Sequence, residues 1–144
     1  FTSEDFAKSH PGGKLGKKLT LRVKDIMIPT SKAAIVKENS SLKDLIFEVS
    51  SKKQGIALVK KREKVIGIFS DGDLRRELQK NVDIQKTKVK SVMKTNFKAI
   101  KDEELITEAA KKMKKYKVYN LIVESRNNIV GILTMHDILE SNVL

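Results

Sequence analysis

The sequence predicts a mixed α/β (α+β) fold made of two β-α-β-β-α repeats related by pseudo-twofold symmetry. Three observations predict it. Val23-Lys24-Asp25-Ile26-Met27 recurs 66 residues later as Val89-Lys90-Ser91-Val92-Met93, and Gly67-Ile68-Phe69-Ser70-Asp71-Gly72-Asp73-Leu74 recurs 64 residues later as Gly131-Ile132-Leu133-Thr134-Met135-His136-Asp137-Ile138. Between these anchors both copies carry the i, i+3, i+4, i+7 apolar spacing of an amphipathic helix. Each copy then ends an apolar hairpin on a hydroxyl residue suited to cap a helix.

Taken in chain order, Ala34-Ile35-Val36 and Ala99-Ile100 read as the short first strands of the two copies. Leu42, Leu45, Ile46 and Val49 mark the first helix, for which Ser41 with Asp44 supplies a capping-box start. Ile106, Ala109, Ala110 and Met113 mark its counterpart. Gly55-Ile56-Ala57-Leu58-Val59 and Tyr119-Asn120-Leu121-Ile122-Val123 are buried-strand segments followed by polar turns. Lys64 to Phe69 and Asn128 to Leu133 are their hairpin partners, running into Ser70 and Thr134 ahead of a last helix. A unit of about 60 residues cannot bury both faces of its own sheet, so the expectation is two halves packed sheet to sheet with equivalent clefts at the seam.

Composition narrows the function classes. With 144 residues the chain is one compact domain or two closely joined halves. The absence of cysteine excludes disulfides, thiolate catalysis and Cys-based metal centres, and fits a reducing compartment, the cytoplasm. The longest apolar run, Ile56-Ala57-Leu58-Val59, is far short of the ~20 residues of a membrane span, so no membrane partner is expected. The chain opens on Phe1 rather than Met, which suggests a piece of a longer protein. The net charge of +12 is spread along the chain, with 4 basic and 2 acidic groups in residues 1–21, 14 and 8 in 22–80, and 12 and 8 in 81–144. There is no basic tail. The cluster Lys111-Lys112-Met113-Lys114-Lys115-Tyr116-Lys117 reads as a solvated helix end. With no Trp and two Tyr, base-stacking platforms are scarce, so nucleic acid is not expected as a partner.

The duplicated apolar hairpin ending in Gly-Ile-x-(Ser/Thr)-x-x-Asp resembles a tandem cystathionine-β-synthase (CBS) domain pair, or Bateman module, over residues 22–144. The segment Asp5-Phe6-Ala7-Lys8-Ser9-His10-Pro11-Gly12-Gly13-Lys14-Leu15-Gly16-Lys17-Lys18-Leu19, with Asp71-Gly72-Asp73-Leu74-Arg75-Arg76 and Met135-His136-Asp137, resembles the C-terminal part of bacterial arabinose 5-phosphate isomerases. Those enzymes join a sugar isomerase (SIS) domain to a CBS pair. The resemblance implies residues 1–21 as a tail or linker from an SIS domain not contained in this chain, 22–80 as the first CBS repeat and 81–144 as the second. It also implies a parent enzyme that interconverts ribulose 5-phosphate and arabinose 5-phosphate for Kdo and lipopolysaccharide or capsule synthesis. No cofactor is implied. An adenosyl nucleotide or CMP-Kdo is the implied regulatory ligand. CBS pairs that associate face to face, in a tetrameric parent, are the implied assembly.

The candidate site residues follow from motif and resemblance together. Ser70-Asp71-Gly72-Asp73 places a hydroxyl, backbone N–H groups and a carboxylate at one strand-to-helix junction, an arrangement suited to ribose plus phosphate, and equally to plain helix capping. Thr134-Met135-His136-Asp137 repeats it. The resemblance assigns the Ser70 and Thr134 hydroxyls to phosphate and the Asp73 and Asp137 carboxylates to ribose. Arg75 or Arg76 could neutralise phosphate, or lie on a solvated helix face. The segment holding Pro29 and Thr30 corresponds to one that lines a nucleotide base in the family, with Met27 and Met93 as core filler in the competing reading; Pro29 has no counterpart in the second copy. By the same resemblance His10 is an active-site residue of the full-length parent only, an imidazole suited to ring opening or proton transfer. His136 is structural or at a cleft mouth, and no metal site is indicated. Three functions remain open at this stage: a regulatory ligand-binding module, an interaction and oligomerisation module with empty clefts, and catalysis by the chain itself, for which only one candidate base exists.

Overall fold

The computed structural model describes residues 20–141. Its elements are α1 (Val23–Ile26), β1 (Ile28–Pro29), β2 (Ala34–Lys37), α2 (Leu42–Lys52), β3 (Ile56–Lys61), β4 (Lys64–Ser70), α3 (Asp71–Gln79), a single 3₁₀ turn (Val89–Ser91), β5 (Ala99–Lys101), α4 (Ile106–Tyr116), β6 (Asn120–Ser125), β7 (Asn128–Thr134) and α5 (Met135–Glu140). The β-α-β-β-α order predicted from the repeats is thus present twice.

Thr30–Phe97 forms one compact unit. Its sheet runs β2-β3-β4, with β2 parallel to β3 (Ala34↔Ala57) and β3 antiparallel to β4 (Leu58↔Ile68). The apolar side of α2 (Leu42, Leu45, Val49) packs with Val36, Ala57, Val59, Phe69 and Val89. The helix stays short for local reasons. The Ser41 hydroxyl accepts the Asp44 N–H at 3.2 Å, and Lys53 turns left-handed at φ 57° to end it. Only that arm of the capping box expected at Ser41 is made; complete reciprocal boxes form at Ser70 and Thr134.

The second unit comprises the described residues up to Pro29 together with those from Lys98 onward. Its sheet runs β1-β7-β6-β5, and its core joins Val23 to Ile100, Ile106, Ala109, Met113, Leu121, Val123, Leu133 and Ile138. Val23, remote in sequence, is fully buried there. The backbone explains its placement: Val23 N–H donates to Glu104 O (2.8 Å), Lys24 N–H to Asp102 O (3.0 Å), and Ile106 N–H to Leu21 O (3.0 Å). Leu105 offers α4 no side-chain cap, so the Leu21 carbonyl satisfies a donor that would otherwise be orphaned at the helix start. The first unit repeats the arrangement with its own segment. Val89 N–H donates to Ser40 O (2.9 Å), Lys90 N–H to Glu38 O (2.9 Å), and Leu42 N–H to Thr87 O (2.9 Å). Segment 21–29 therefore serves the strands of the second sequence repeat as 87–94 serves those of the first.

This arrangement accounts for the glycine of each Gly-Ile motif. β1 lies antiparallel on β7 with Pro29 opposite Gly131, and a Cβ at Gly131 would sit 2.5 Å from Ile28 O and 2.9 Å from Met27 Sδ. At Gly67 the neighbours are Met93 Sδ at 2.6 Å and Lys94 O at 3.1 Å, where Ile68 bridges Lys94. At Gly131 glycine is required by the backbone crossing it, whereas at Gly67 the closest atom belongs to a side chain.

Candidate functional site

Each repeat ends its hairpin on a reciprocal capping box. In the first, the Ser70 N–H and hydroxyl donate to Asp73 Oδ2 at 2.9 and 3.0 Å, and the Asp73 N–H donates to Ser70 Oγ at 3.3 Å. In the second, the Thr134 N–H and hydroxyl donate to Asp137 Oδ2 at 3.2 and 2.7 Å, and the Asp137 N–H donates to Thr134 Oγ1 at 3.1 Å. Strand-end geometry makes this possible. Ser70 and Thr134 hold extended backbone, at ψ 168° and 154°, so the side chain turns over the first helical N–H groups. Both carboxylates are therefore structural caps whatever else they do.

The boxes differ in charge. Arg76, one turn on, donates to Asp73 Oδ1, so both oxygens of that carboxylate are engaged. Residue 140, the counterpart of Arg76 at the repeat offset of 64, is Glu140, which faces His136 at 3.9 Å instead. Among the described residues no hydrogen bond reaches Asp137 Oδ1, leaving one oxygen of that carboxylate open. Partial burial raises the Asp73 pKa, but the bond from the Ser70 N–H, then Arg76 and the Ser70 hydroxyl, with Lys94 nearby, outweigh it and hold the carboxyl below the ordinary aspartate value.

That shift has a sign in stability. A carboxylate with a depressed folded-state pKa stabilises the fold above its unfolded value of about 3.9, and the contribution fades as pH falls through the folded value. Melting temperatures of the chain and of Asp73→Asn, measured from neutral pH down to about 2, should therefore converge at the acid end. A constant gap across that range contradicts the assignment.

The remaining sequence candidates are distributed as follows. Pro29 lies in β1 opposite Gly131, and Thr30 follows it, its carbonyl accepting the Ala33 N–H at 3.3 Å. Arg75 is exposed on α3 and forms no ion pair among the described residues; it is Arg76 that reaches Asp73. The i, i+3 spacing was the available signal for that pair. Lys94 reaches Asp73 electrostatically because the 87–94 segment folds back on β4. His136 is exposed on α5. His10 and the 1–19 part of the expected tail lie outside the described residues. The Lys111–Lys117 run is mostly solvated, with Lys112 Nζ turned back onto Ala99 O. Among the described residues no His/Cys/Asp/Glu group is placed to hold a metal ion, and no helix is long and apolar enough to cross a membrane.

Comparison with known proteins places this geometry in a family. The CBS domain model matches residues 23–80 and 89–143. The chain is 40% identical over 141 residues to arabinose 5-phosphate isomerase KdsD of Francisella tularensis subsp. tularensis, covering 97% of this chain and 43% of that protein. It is 39% identical over 145 residues to KdsD of Escherichia coli K12, covering 100% of this chain and 44% of that one. The chain thus spans less than half the length of these relatives. Among solved structures, CBSX2 in complex with AMP superposes with TM-score 0.69 at 27% identity, over 85% of this chain and 96% of that one. Two family matches, one on each sequence repeat and each ending in a hydroxyl–carboxylate box, show that the chain belongs to the CBS domain family as a CBS domain pair homologous to part of KdsD.

Proposed function

We propose that the chain is the regulatory module of an arabinose 5-phosphate isomerase: a cytoplasmic CBS pair that binds an adenosyl nucleotide, or CMP-Kdo, and thereby tunes an enzyme interconverting ribulose 5-phosphate and arabinose 5-phosphate for Kdo and lipopolysaccharide synthesis. The observation that carries the reading is the duplicated hydroxyl–carboxylate box at a strand-to-helix junction. It is supported by a homologous fold that holds AMP.

The charge difference between the boxes gives each, within its own unit, a different preference. Ser70, Arg76 and Lys94 make the first box the basic one, suited to a phosphate, with Arg75 available on the same helix. Gly72 adds no bulk there, since a Cβ would only just touch Arg76 Nη1 at 3.6 Å. Thr134 and Asp137 suit a sugar: the open Asp137 Oδ1 can accept ribose hydroxyls, and Glu140 disfavours an anion. Pro29 and Thr30 are assigned to the base. A thermal-shift screen with AMP, ATP and CMP-Kdo tests the reading. A ligand that binds the folded state at a hundredfold excess over Kd adds about 2.7 kcal/mol of apparent stability, a rise of several degrees. No rise with any of them favours an interaction module with no ligand.

The 144-residue chain by itself should not turn over arabinose 5-phosphate or ribulose 5-phosphate. Aldose–ketose isomerisation needs a base beside the C1–C2 carbons and a phosphate cradle, and neither capping box presents a free base beside a second catalytic group. Turnover above buffer that disappears in His10→Ala overturns this.

A further inference from the structure

The open edge of the second unit's sheet is walled by charges that do not neutralise one another. β5 is the last strand of that sheet. The Ile122 N–H donates to Lys98 O and the Asp102 N–H to Glu124 O, so the strand's period of two turns the backbone of Ala99 and Lys101 away from β6. Both outward carbonyls are already engaged, Ala99 O by the Lys112 ammonium and Lys101 O by the Glu104 N–H. The N–H groups of Ala99 and Lys101 meet no acceptor among the described residues, so this edge offers donors only. Against it, between β5 and α4, lies a cavity of about 570 Å³. Lys112 is half-buried on its wall and has no carboxylate partner among the described residues. The Lys98 and Lys115 ammonium groups sit 4.6 and 5.3 Å from the ring centroid of Tyr116, which lines the same cavity, and neither forms an ion pair among the described residues. Glu124, also half-buried on the wall, is unpaired too. Of the other two acids there, Glu108 is held by Lys111 at 3.4 Å and Glu104 is exposed. The fold does not impose this set. At the repeat offset of 64 the first unit has Glu48, Ser51, Lys52 and Lys60 in place of Lys112, Lys115, Tyr116 and Glu124.

We propose that this cavity is a second ligand site, for a small phosphorylated sugar whose phosphate is held by Lys112, Lys115 and the β5 N–H groups and whose hydroxyls reach Glu124. An ammonium carries three donors, so Lys112 keeps two for a ligand after bonding Ala99 O. A half-buried ammonium and a half-buried carboxylate that share a cavity without pairing each lack a partner, and one molecule bearing both an anion and hydroxyl donors satisfies the two together. Unpaired lysines and backbone donors outnumber the single half-buried acid, which favours a doubly charged phosphate over the lone carboxylate of an amino acid. The volume lies within the range of small-molecule sites, about 300 to 1,000 Å³. The polar lining suits a hydrophilic ligand rather than a stacked base, because ammonium groups already cover Tyr116. The inference is independent of the nucleotide reading above. All of its residues lie in the second unit, and none belongs to a capping box.

Titration of the isotopically labelled full chain with ribose 5-phosphate, followed through its amide shifts, tests it. Saturable shifts should appear at Ala99, Lys101, Lys112 and Tyr116, with a Kd of about 1 mM or tighter. Inorganic phosphate should act on the same amides about fivefold more weakly, because it lacks the hydroxyls. Lys112→Gln/Lys115→Gln keeps a donor for Ala99 O while removing both charges, so it should weaken binding about tenfold with an unchanged melting curve. Glu124→Gln should narrow the gap between the sugar phosphate and inorganic phosphate to about twofold or less. Asp137→Ala should leave this binding as it is, which separates it from occupancy of the boxes. Absence of saturable shifts at Ala99, Lys101 and Tyr116, or undiminished binding in Lys112→Gln/Lys115→Gln, overturns the proposal. So does inorganic phosphate that binds as tightly as ribose 5-phosphate, a gap untouched by Glu124→Gln, or loss of binding in Asp137→Ala.

Discussion

Gly131→Ala is expected to lower the stability of the chain by about 3 kcal/mol, at the upper end of what overpacking costs. The new Cβ would lie 2.5 Å from the Ile28 carbonyl oxygen, a backbone atom held in register on β7 by the Ile28↔Ile132 and Pro29↔Gly131 pairs. Relief requires lifting β1, and with it the anchor that buries Val23 in the core of that unit. Gly67→Ala, the same change at the equivalent position, should cost about 1 kcal/mol, because the nearest atom is the side-chain sulfur of Met93, which can rotate away. Urea unfolding of the two variants checks the ranking. Equal losses, or a harmless Gly131→Ala, mean that β1 does not lie on β7 as described.

The second large effect concerns ligand affinity. Asp73→Ala and Asp137→Ala each remove one carboxylate from a reciprocal cap, and each should cost about 1 kcal/mol of stability. They should separate in binding. Asp137 keeps one oxygen free for sugar hydroxyls, so its truncation removes charge-assisted bonds to the ligand, worth about 1.5 to 3 kcal/mol or one to two decades in Kd. Asp73 has both oxygens engaged by Ser70 and Arg76, and its loss releases the Arg76 guanidinium, so nucleotide affinity should change less than about threefold. Calorimetric titration with AMP beside melting curves measures both quantities. Two variants that melt lower yet bind as tightly as the wild type would reduce the boxes to helix caps.

Much of this was readable from residue order. Period-3.6 spacing at Leu42, Leu45 and Val49, and at Ile106, Ala109 and Met113, located both main helices, because a helix face is a local property of the sequence. Hydroxyl-x-x-Asp located the two boxes, since a cap requires those atoms three residues apart. The role of 21–29 was not readable. A two-residue strand has no period of its own, and its pairing with residues 131 and 132 depends on contacts a hundred positions away. The same long-range crossing hid the reason for Gly67 and Gly131, whose neighbours come from Met93 and Ile28 rather than from adjacent residues. The difference between the boxes was partly legible, in that Glu140 stands where Arg76 stands 64 residues earlier. Which arginine meets Asp73 turned on helical geometry: Arg76 is three residues on and shares its face, while Arg75 points elsewhere around the helix.

The claim at the centre of this account is that the hydroxyl–carboxylate boxes are where a nucleotide binds. Amide chemical-shift mapping of the isotopically labelled chain during titration with AMP tests it most directly. Saturable shifts should appear at Ser70, Gly72 and Asp73 and at Thr134 to Asp137, with Arg76 and Thr30 following. Saturation without shifts at either box, or shifts confined to the cavity beside β5, would contradict the assignment.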